Sequence, residues 1–438
     1  MLPGLMSSRV RELPGQRSFR LAVAVALVIF HLAAFTRAAH VRLGLPFNAA
    51  PGAAPYYSNP DAAALTDPPR QPHYWSRLVV SRWDAQHYIG FAIRGMTACP
   101  KDGAAAKDWQ YMQCGLAWVP TYGEVGRLVA DTTGLPADYV LLFMSILIAI
   151  AINMMWTCKT ITSRLGLAEA YGALFAFNLF VSGFYIVTPY PEGATFACML
   201  GAFILVANKR WLPAALVVGL STALRPTSIA FAFGFGCAAL YATWQGRKAG
   251  TKQWWKPLAT TPLAIWGQLA LMLALKIAAG DAKAYLRGQK AFAGNRGNFH
   301  PFQIFDPQFY LHSFSGQHLD GVMLIGVFAL IALGAREVVK RLGRDEAVFL
   351  VVASAAVVLM PLIMLNGYWG LNRYLLLCAL TYFSAGTLVR RLPVVYALWL
   401  MLSLAFYWNI EMCSYIAQGD PRVCNCFGKM EFTMPFSS

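Results

Sequence analysis

The sequence predicts an all-α polytopic membrane protein of about eleven transmembrane helices, with a long first exterior loop that bears interfacial helices. Three observations lead there. Of 438 residues, 58% are hydrophobic and 13% charged, where a soluble domain carries about 25% charged residues. The apolar residues gather in long runs, as membrane spans do. The cations gather in short clusters between those runs. A net charge of +16 therefore reads as the cytoplasmic bias of membrane loops, with anionic lipid or a phosphate-bearing substrate as further uses, and not as a nucleic-acid surface.

The first apolar run, residues 21–35 of a helix expected over 19–38, follows Arg9, Arg11, Arg17 and Arg20. Its polar lead is long and no small-residue cleavage site is clear, so it is expected to stay as a first helix rather than leave as a signal peptide. Residues 39–138 then form an exterior loop rich in Pro, Tyr and Trp. Within it, residues 118–133 have a helical pattern but carry Glu124, Arg127 and Asp131. Three charges make a poor span, and an interfacial helix fits better. Cys99 and Cys114 lie in the same loop. An oxidising compartment would pair them; two free thiols are the other reading.

Further spans are expected at residues 139–156, 170–186, 193–207, 212–224, 227–244, 258–279, 321–335, 347–365, 373–388 and 393–410. The short loops this alternation places in the cytoplasm are basic: Lys159 and Arg164, Lys209 and Arg210, Arg247 to Lys256, Arg336 to Arg344, and Arg390 with Arg391. Counted in full, Lys and Arg are equal on the two sides, because long exterior loops also hold cations that the short-loop rule does not count. The expected organisation is one membrane domain, residues 1–438, with exterior segments at 39–138, 280–320 and 411–438. Cys413, Cys424 and Cys426 fall in the last of these. Cys158, Cys198, Cys237 and Cys378 lie in or beside helices without metal-ligand spacing. No internal repeat, P-loop or dinucleotide fingerprint is present.

The chemistry-bearing stretch is residues 81–88. On a helix Asp84, His87 and Tyr88 fall at i, i+3 and i+4 and share one face. A carboxylate there suits removal of a proton from an acceptor hydroxyl. The alternative is an interfacial helix with Trp83 and Tyr88 as belt residues and Asp84 solvated. Under the expected topology Glu192, Arg225 and Arg373 lie at helix ends on the same side of the membrane. Ionisable residues at membrane depth are costly and point to function, although each alone also fits an ordinary interfacial position. In the later exterior loop Lys283, Arg287 and Lys290 fall at i, i+4 and i+7, with Tyr285 and Phe292 on an apolar side. That pattern suits a helix on a membrane surface or a grip on a phosphorylated head group.

Five segments resemble the PIG-V class of the glycosyltransferase C superfamily, the second mannosyltransferase of GPI assembly and its bacterial relatives. Trp83-Asp84-Ala85-Gln86-His87-Tyr88 is similar to that family's W-D-x-x-H/x-Y/F signature. Val119-Pro120-Thr121-Tyr122 looks like its F-P-L-Y-P stretch, departing at Val119, Thr121 and Gly123. Pro189-Tyr190-Pro191-Glu192 resembles its Y-S/T-E segment, and Leu224-Arg225-Pro226 its R-P/S-N-G turn, with Thr227-Ser228 in place of Asn-Gly. Gly280-Asp281 through Gln289-Lys290-Ala291-Phe292 is similar to a bacterial G-D-P-L-A-F…A-Q…W stretch. The resemblance covers about residues 80–375 in the family's order, and no single motif carries it alone.

What the resemblance implies is an inverting glycosyltransferase that moves a hexose, typically mannose, from a polyprenyl-phosphate donor to a lipid-linked or glycan acceptor on the non-cytoplasmic side. Asp84 would be the catalytic base. Trp83, His87, Tyr88, Tyr190, Glu192, Arg225, Lys283, Arg287, Gln289, Lys290 and Arg373 would bind substrate, with arginines stabilising the leaving phosphate. The expected location is a bacterial inner membrane with the site facing the periplasm. The expected partners are donor, acceptor and membrane lipids, with no nucleic acid. No cofactor is expected, and no metal is assigned: Asp84, His87 and Glu192 lack compact ligand spacing. A transporter or lipid flippase would also bury charges in a helical bundle; an inverted repeat, its usual mark, is not visible. A non-enzymatic assembly subunit is the second rival.

Overall fold

The structure, a computed structural model, describes residues 14–43, 84–96, 99–293, 305–308, 320–364 and 371–407. Trp83, residues 366–370 and the three tail cysteines lie outside this set. Every helix and turn among the described residues belongs to an α-helical architecture, with no strand.

The helices in chain order are α1 (Pro14–Leu43), α2 (Ala85–Arg94), α3 (Asp108–Gln113), α4 (Thr121–Thr133), α5 (Ala137–Trp156), α6 (Lys159–Leu165), α7 (Leu167–Asn178), α8 (Pro191–Ala207), α9 (Trp211–Leu224), α10 (Ile229–Lys248), α11 (Lys256–Ala259), α12 (Trp266–Ala279), α13 (Ala284–Ala293), α14 (Asp320–Arg341), α15 (Arg344–Met364), α16 (Leu371–Leu376), α17 (Ala379–Arg391) and α18 (Pro393–Phe406). Among the described residues six stretches are long and apolar enough to cross a membrane: Gln16–Thr36, Ala137–Trp156, Pro226–Lys248, Lys256–Ala279, Gly321–Arg341 and Arg344–Leu362. Three shorter apolar helices, Pro191–Ala207, Trp211–Leu224 and Pro393–Phe406, accompany them. The protein is an all-α integral membrane protein.

The bundle packs α1 on α5, α5 on α8, α8 on α9, α9 on α12, α10 on α15, and α17 between α7 and α14. One large apolar core runs through these helices, and a second, smaller one joins Phe91, Tyr111, Leu116 and Val119 to Leu271, Leu275 and Ala279. The second core seats the segment 91–119 on α12. Cys99 and Cys114 are bonded within it, as the oxidising-compartment reading expects.

Three expected spans are broken rather than continuous. The helix expected over 170–186 stops at Asn178, followed by a 3₁₀ turn over Gly183–Ile186. The Asn178 side chain turns inward, donating to the Leu174 carbonyl at 2.9 Å and to Asn153 Oδ1 at 2.9 Å and meeting His31 Nε2 at 3.2 Å. The helix expected over 258–279 is divided into α11, a 3₁₀ turn over Thr261–Ile265, and α12. Pro257 and Pro262 each remove a backbone donor there. The helix expected over 373–388 is split between α16 and α17. At that break Tyr382 donates to the Leu376 carbonyl at 3.1 Å, and the Ser354 hydroxyl accepts from the Leu380 N–H at 3.1 Å. Side chains of neighbouring helices thus satisfy backbone groups that lipid could not.

The two ends of α8 mark two different charge environments. Glu192 opens the helix, and Lys209 follows its close at Ala207; a helix of this length separates them by roughly 25 Å. At the Lys209 end, ion pairs tie neighbouring helices together: Lys209–Asp345 at 2.6 Å, Arg164–Glu346 at 2.8 Å and Arg341–Glu169 at 3.1 Å. The other end holds the candidate site.

Candidate functional site

Asp84 stands directly before α2 with helical backbone angles, and its carbonyl accepts from the His87 N–H at 3.0 Å. It therefore begins the face that His87 and Tyr88 continue. The position of α2 depends on α4. Gly123 of α4 lies so close that a Cβ there would stand 2.4 Å from the Tyr88 carbonyl oxygen and 2.6 Å from the Phe91 Cβ. Only a residue without a side chain permits that approach.

Four charged residues from four distant segments meet beside α2. Arg373 Nη1 donates to Asp84 Oδ2 at 2.5 Å and stands 3.5 Å from Glu192 Oε1. Arg225 Nη1 donates to the same Glu192 oxygen at 2.5 Å. The result is a chain Asp84–Arg373–Glu192–Arg225 in which charges alternate and cancel. Arg225 and Glu192 form its buried end, with side chains 11% and 1% exposed; Asp84 and Arg373, at 17% and 19%, form its open end. The turn after α9 explains Arg225: its backbone leaves the helix in extended form before Pro226 opens a 3₁₀ turn. Glu192 sits in the first turn of α8 behind Pro191, where a carboxylate also complements the helix dipole.

Tyrosines wall the cluster. Tyr88 packs against Tyr190 and Tyr122 with centroids 5.9 and 6.4 Å apart. The Arg373 guanidinium lies over Tyr190 at 5.6 Å and Tyr185 at 5.8 Å, and that of Arg225 lies over Tyr374 at 4.9 Å. Arginine over an aromatic face gains from the ring quadrupole, the more so when desolvated. The Tyr88 hydroxyl feels Glu192, Arg225, Asp84 and Arg373 together, and burial with the Glu192 charge raises its pKa well above the ordinary range.

Asp84 is held ionised. Burial pushes its pKa up, but the charges of Arg373 and His87 and hydrogen bonds from Arg373 and Trp118 outweigh it, and the net pKa falls below the ordinary 3.8. Opposite charge and donated hydrogen bonds both favour the carboxylate form. The His87 ring is stacked on Trp118, with centroids 3.4 Å and planes 10° apart.

The segment 280–293 behaves differently from the expected basic face. Helix α13 begins at Ala284, so Lys283 precedes it, and the Lys283 N–H is bonded to Asp281 Oδ1 at 2.8 Å. Arg287 is committed within the protein. It pairs with Asp108 at 2.6 Å and Asp281 at 2.9 Å and donates to the carbonyls of Gly103 and Ala106. Two carboxylates balance its charge, and it clamps α13 to the α3 segment. Gln289 likewise donates to the Ala117 carbonyl, a backbone tie. Lys290 is 80% exposed and 4.0 Å from Asp108. What α13 brings toward the cluster is Tyr285, whose phenol is raised in pKa by burial and by Tyr374 and lowered by Arg225.

The structure thus brings together Asp84, His87, Tyr88, Tyr190, Glu192, Arg225 and Arg373, and sets Lys283, Arg287, Gln289 and Lys290 apart in the clamp. Sequence reasoning missed Trp118, Tyr185, Tyr285 and Tyr374. Trp118 and Tyr285 lay inside quoted segments but carried no spacing signal toward Asp84. Tyr374 had one available cue, adjacency to Arg373. Among the described residues no three His, Cys, Asp or Glu side chains gather as a metal-ligand group. Compared with known families and with characterised proteins, the chain matches no family model and no curated protein.

Proposed function

We propose that this protein is a membrane glycosyltransferase that moves a hexose, mannose by the resemblance of its motifs, from a polyprenyl-phosphate donor to a lipid-linked or glycan acceptor. The observation that carries the reading is the Asp84–Arg373 pair at the open end of a buried charge chain. It sets a carboxylate beside an arginine, the two groups that a transfer from a lipid phosphate needs.

The reaction forms a bond from an acceptor oxygen to the anomeric carbon and breaks the bond from that carbon to phosphate. The acceptor proton passes to Asp84, the electron pair of the broken bond leaves on polyprenyl phosphate, and attack opposite the leaving group inverts the centre. While Arg373 holds Asp84, the carboxylate is a weak base. A donor phosphate competes for the Arg373 guanidinium, which binds phosphate oxygens well. As Arg373 turns to the phosphate, Asp84 loses its strongest charge partner. Its buried surroundings then raise its pKa, and it becomes a better base at the moment the donor is in place. Arg225, tied to Glu192, acts as support for this pair and as the deeper cation. His87 stands beside Asp84 as a further polar contact.

The accompanying topology is eleven spans with the N-terminus inside, the C-terminus outside and the site on the non-cytoplasmic face of a bacterial inner membrane. The short apolar helices α8, α9 and α18, with the broken segments 167–186 and 371–391, bring the six long stretches to eleven. The alternating basic loops support it.

The test is purified protein in vesicles with a defined polyprenyl-phosphate mannose and a mixture of candidate acceptors, read by mass spectrometry. Expected is a product heavier by one hexose together with free polyprenyl phosphate. Movement of intact donor between leaflets with no chemical change would replace this reading with the flippase. Lipids and glycans from a deletion strain identify the acceptor.

A further inference from the structure

Trp118 touches both members of the Asp84–His87 pair. Its ring is stacked on the His87 imidazole with centroids 3.4 Å apart. Its side chain hydrogen-bonds the Asp84 carboxylate; an indole can only donate, so the bond runs from its N–H to the carboxylate. Trp118 belongs to neither α2 nor the regular part of α4. It sits in the turn between α3 and α4, and that turn is tied from several directions. The Cys99–Cys114 bond anchors its start. Within it the Leu116 N–H bonds the Tyr111 carbonyl and the Trp118 N–H the Gly115 carbonyl, each at 2.9 Å. From outside, Gln289 of α13 donates to the Ala117 carbonyl. Gly288 of α13 comes so near that a Cβ there would stand 2.9 Å from the Ala117 nitrogen. The Arg287 clamp to Asp108 and Asp281 fixes α13 in turn.

We propose that Trp118 is a positioning residue for Asp84 and His87, and that the Cys99–Cys114 loop and α13 serve the site by holding Trp118 in place. The proposal rests on the reading of Asp84 as the base. The indole N–H aims one carboxylate oxygen and favours its ionised form, while the stacked ring keeps the imidazole beside it. The other groups facing Asp84 are Arg373 from α16, His87 and Tyr88 from α2, and, through Arg373, Glu192 from α8. All of these remain when only the indole donor is removed, so a shift in pH behaviour then reports Trp118 itself.

Two variants and two readouts test it. Trp118→Phe keeps an aromatic face and removes the donor; Trp118→Leu removes both. The first readout is kcat/KM for polyprenyl-phosphate mannose against pH. In Trp118→Phe the acid limb is expected to move up by about one pH unit, the size of one hydrogen bond to a charged group. Donor KM is expected to stay within about twofold, since the change is felt in the transition state. The second readout needs no activity: carbon-13 histidine NMR, with the His87 resonance identified by its loss in His87→Gln. Ring current from the stacked indole should displace that resonance in the wild type, and Trp118→Leu should abolish the displacement. Gln289→Ala, which loosens the Ala117 tie, should reduce it. An acid limb unmoved in folded Trp118→Phe, or a His87 resonance unmoved in Trp118→Leu, overturns the proposal. If the wild type transfers no sugar at all, the transferase reading falls and the NMR result alone decides the role of Trp118.

Discussion

Arg373 reaches Asp84 across 289 positions of sequence, donating at 2.5 Å, and the same nitrogen stands 3.5 Å from Glu192. A single guanidinium thus couples the start of α2 to the start of α8. Removing it acts on both carboxylates at once. In the transfer assay Arg373→Ala is expected to lose about 10²–10³ in kcat, comparable with a lost oxyanion donor. Asp84→Asn is expected to lose about 10²–10⁴, the range for a positioned base. Because the two act as a unit, the double variant should be little worse than the poorer single. A fully multiplicative double variant would show that they act independently.

The Arg225–Glu192 pair answers a different question. Both side chains are almost fully buried, and a buried pair broken from one side leaves an uncompensated charge. Arg225→Ala is expected to destabilise the protein by about 3–5 kcal/mol. Arg225→Met combined with Glu192→Leu should recover most of that stability in thermal unfolding in detergent, while transfer stays lost. If the double variant regains activity as well, the pair is structural only.

The Arg287 clamp predicts a contrast between two cations of one helix. Arg287→Ala removes two ion pairs and two backbone contacts and should raise hydrogen exchange across residues 99–117 and 280–293. Lys290→Ala, at an exposed pair worth about 0–1 kcal/mol, should leave exchange unchanged. Equal effects from the two would contradict the assigned clamp.

The same clamp carries a pH dependence. Burial pushes the Asp281 pKa up, while the Lys283 N–H and the Arg287 guanidinium pull it below its ordinary 3.8. A carboxylate whose folded pKa lies below its unfolded one contributes stability that is fully present above the unfolded value. That stability is lost as pH falls through the folded pKa. Exchange in residues 280–293 should therefore accelerate below about pH 4, and Asp281→Asn should be fast at every pH and lose the acid step. A wild-type segment whose protection is flat down to strongly acid pH would rule this out.

The packing of α4 on α2 gives a steric prediction. A side chain at Gly123 meets Tyr88 and Phe91 atoms at 2.4 and 2.6 Å, backbone among them, so the helices must part. Gly123→Val is expected to cost about 1–3 kcal/mol as overpacking. It should lower kcat by about 10² through displacement of α2. Transfer near the wild-type rate would show that Tyr88 and Asp84 tolerate the shift.

Membrane class and the helical pattern of residues 118–133 were legible in the sequence, because each rests on local pattern; the Cys99–Cys114 bond was one of two readings there, and the structure decided it. Runs of apolar residues, charges within a run and the spacing of loops do not depend on partners. The face shared by Asp84, His87 and Tyr88 was legible for the same reason. Convergence was decided by tertiary structure. Nothing in the chain's periodicity says that Arg373 lies against Asp84 rather than over open lipid, or that Arg225 spends its charge on Glu192. The break at Leu377 depends on Ser354 and Tyr382, side chains of neighbouring helices that take up backbone groups there, and at Asn178 the Asn178 side chain turns inward to partners on other helices, Asn153 and His31. Arg287 shows the limit most directly. Its spacing with Lys283 and Lys290 described a basic face, but the charge of a face is set by what packs against it, and Asp108 with Asp281 cancelled it.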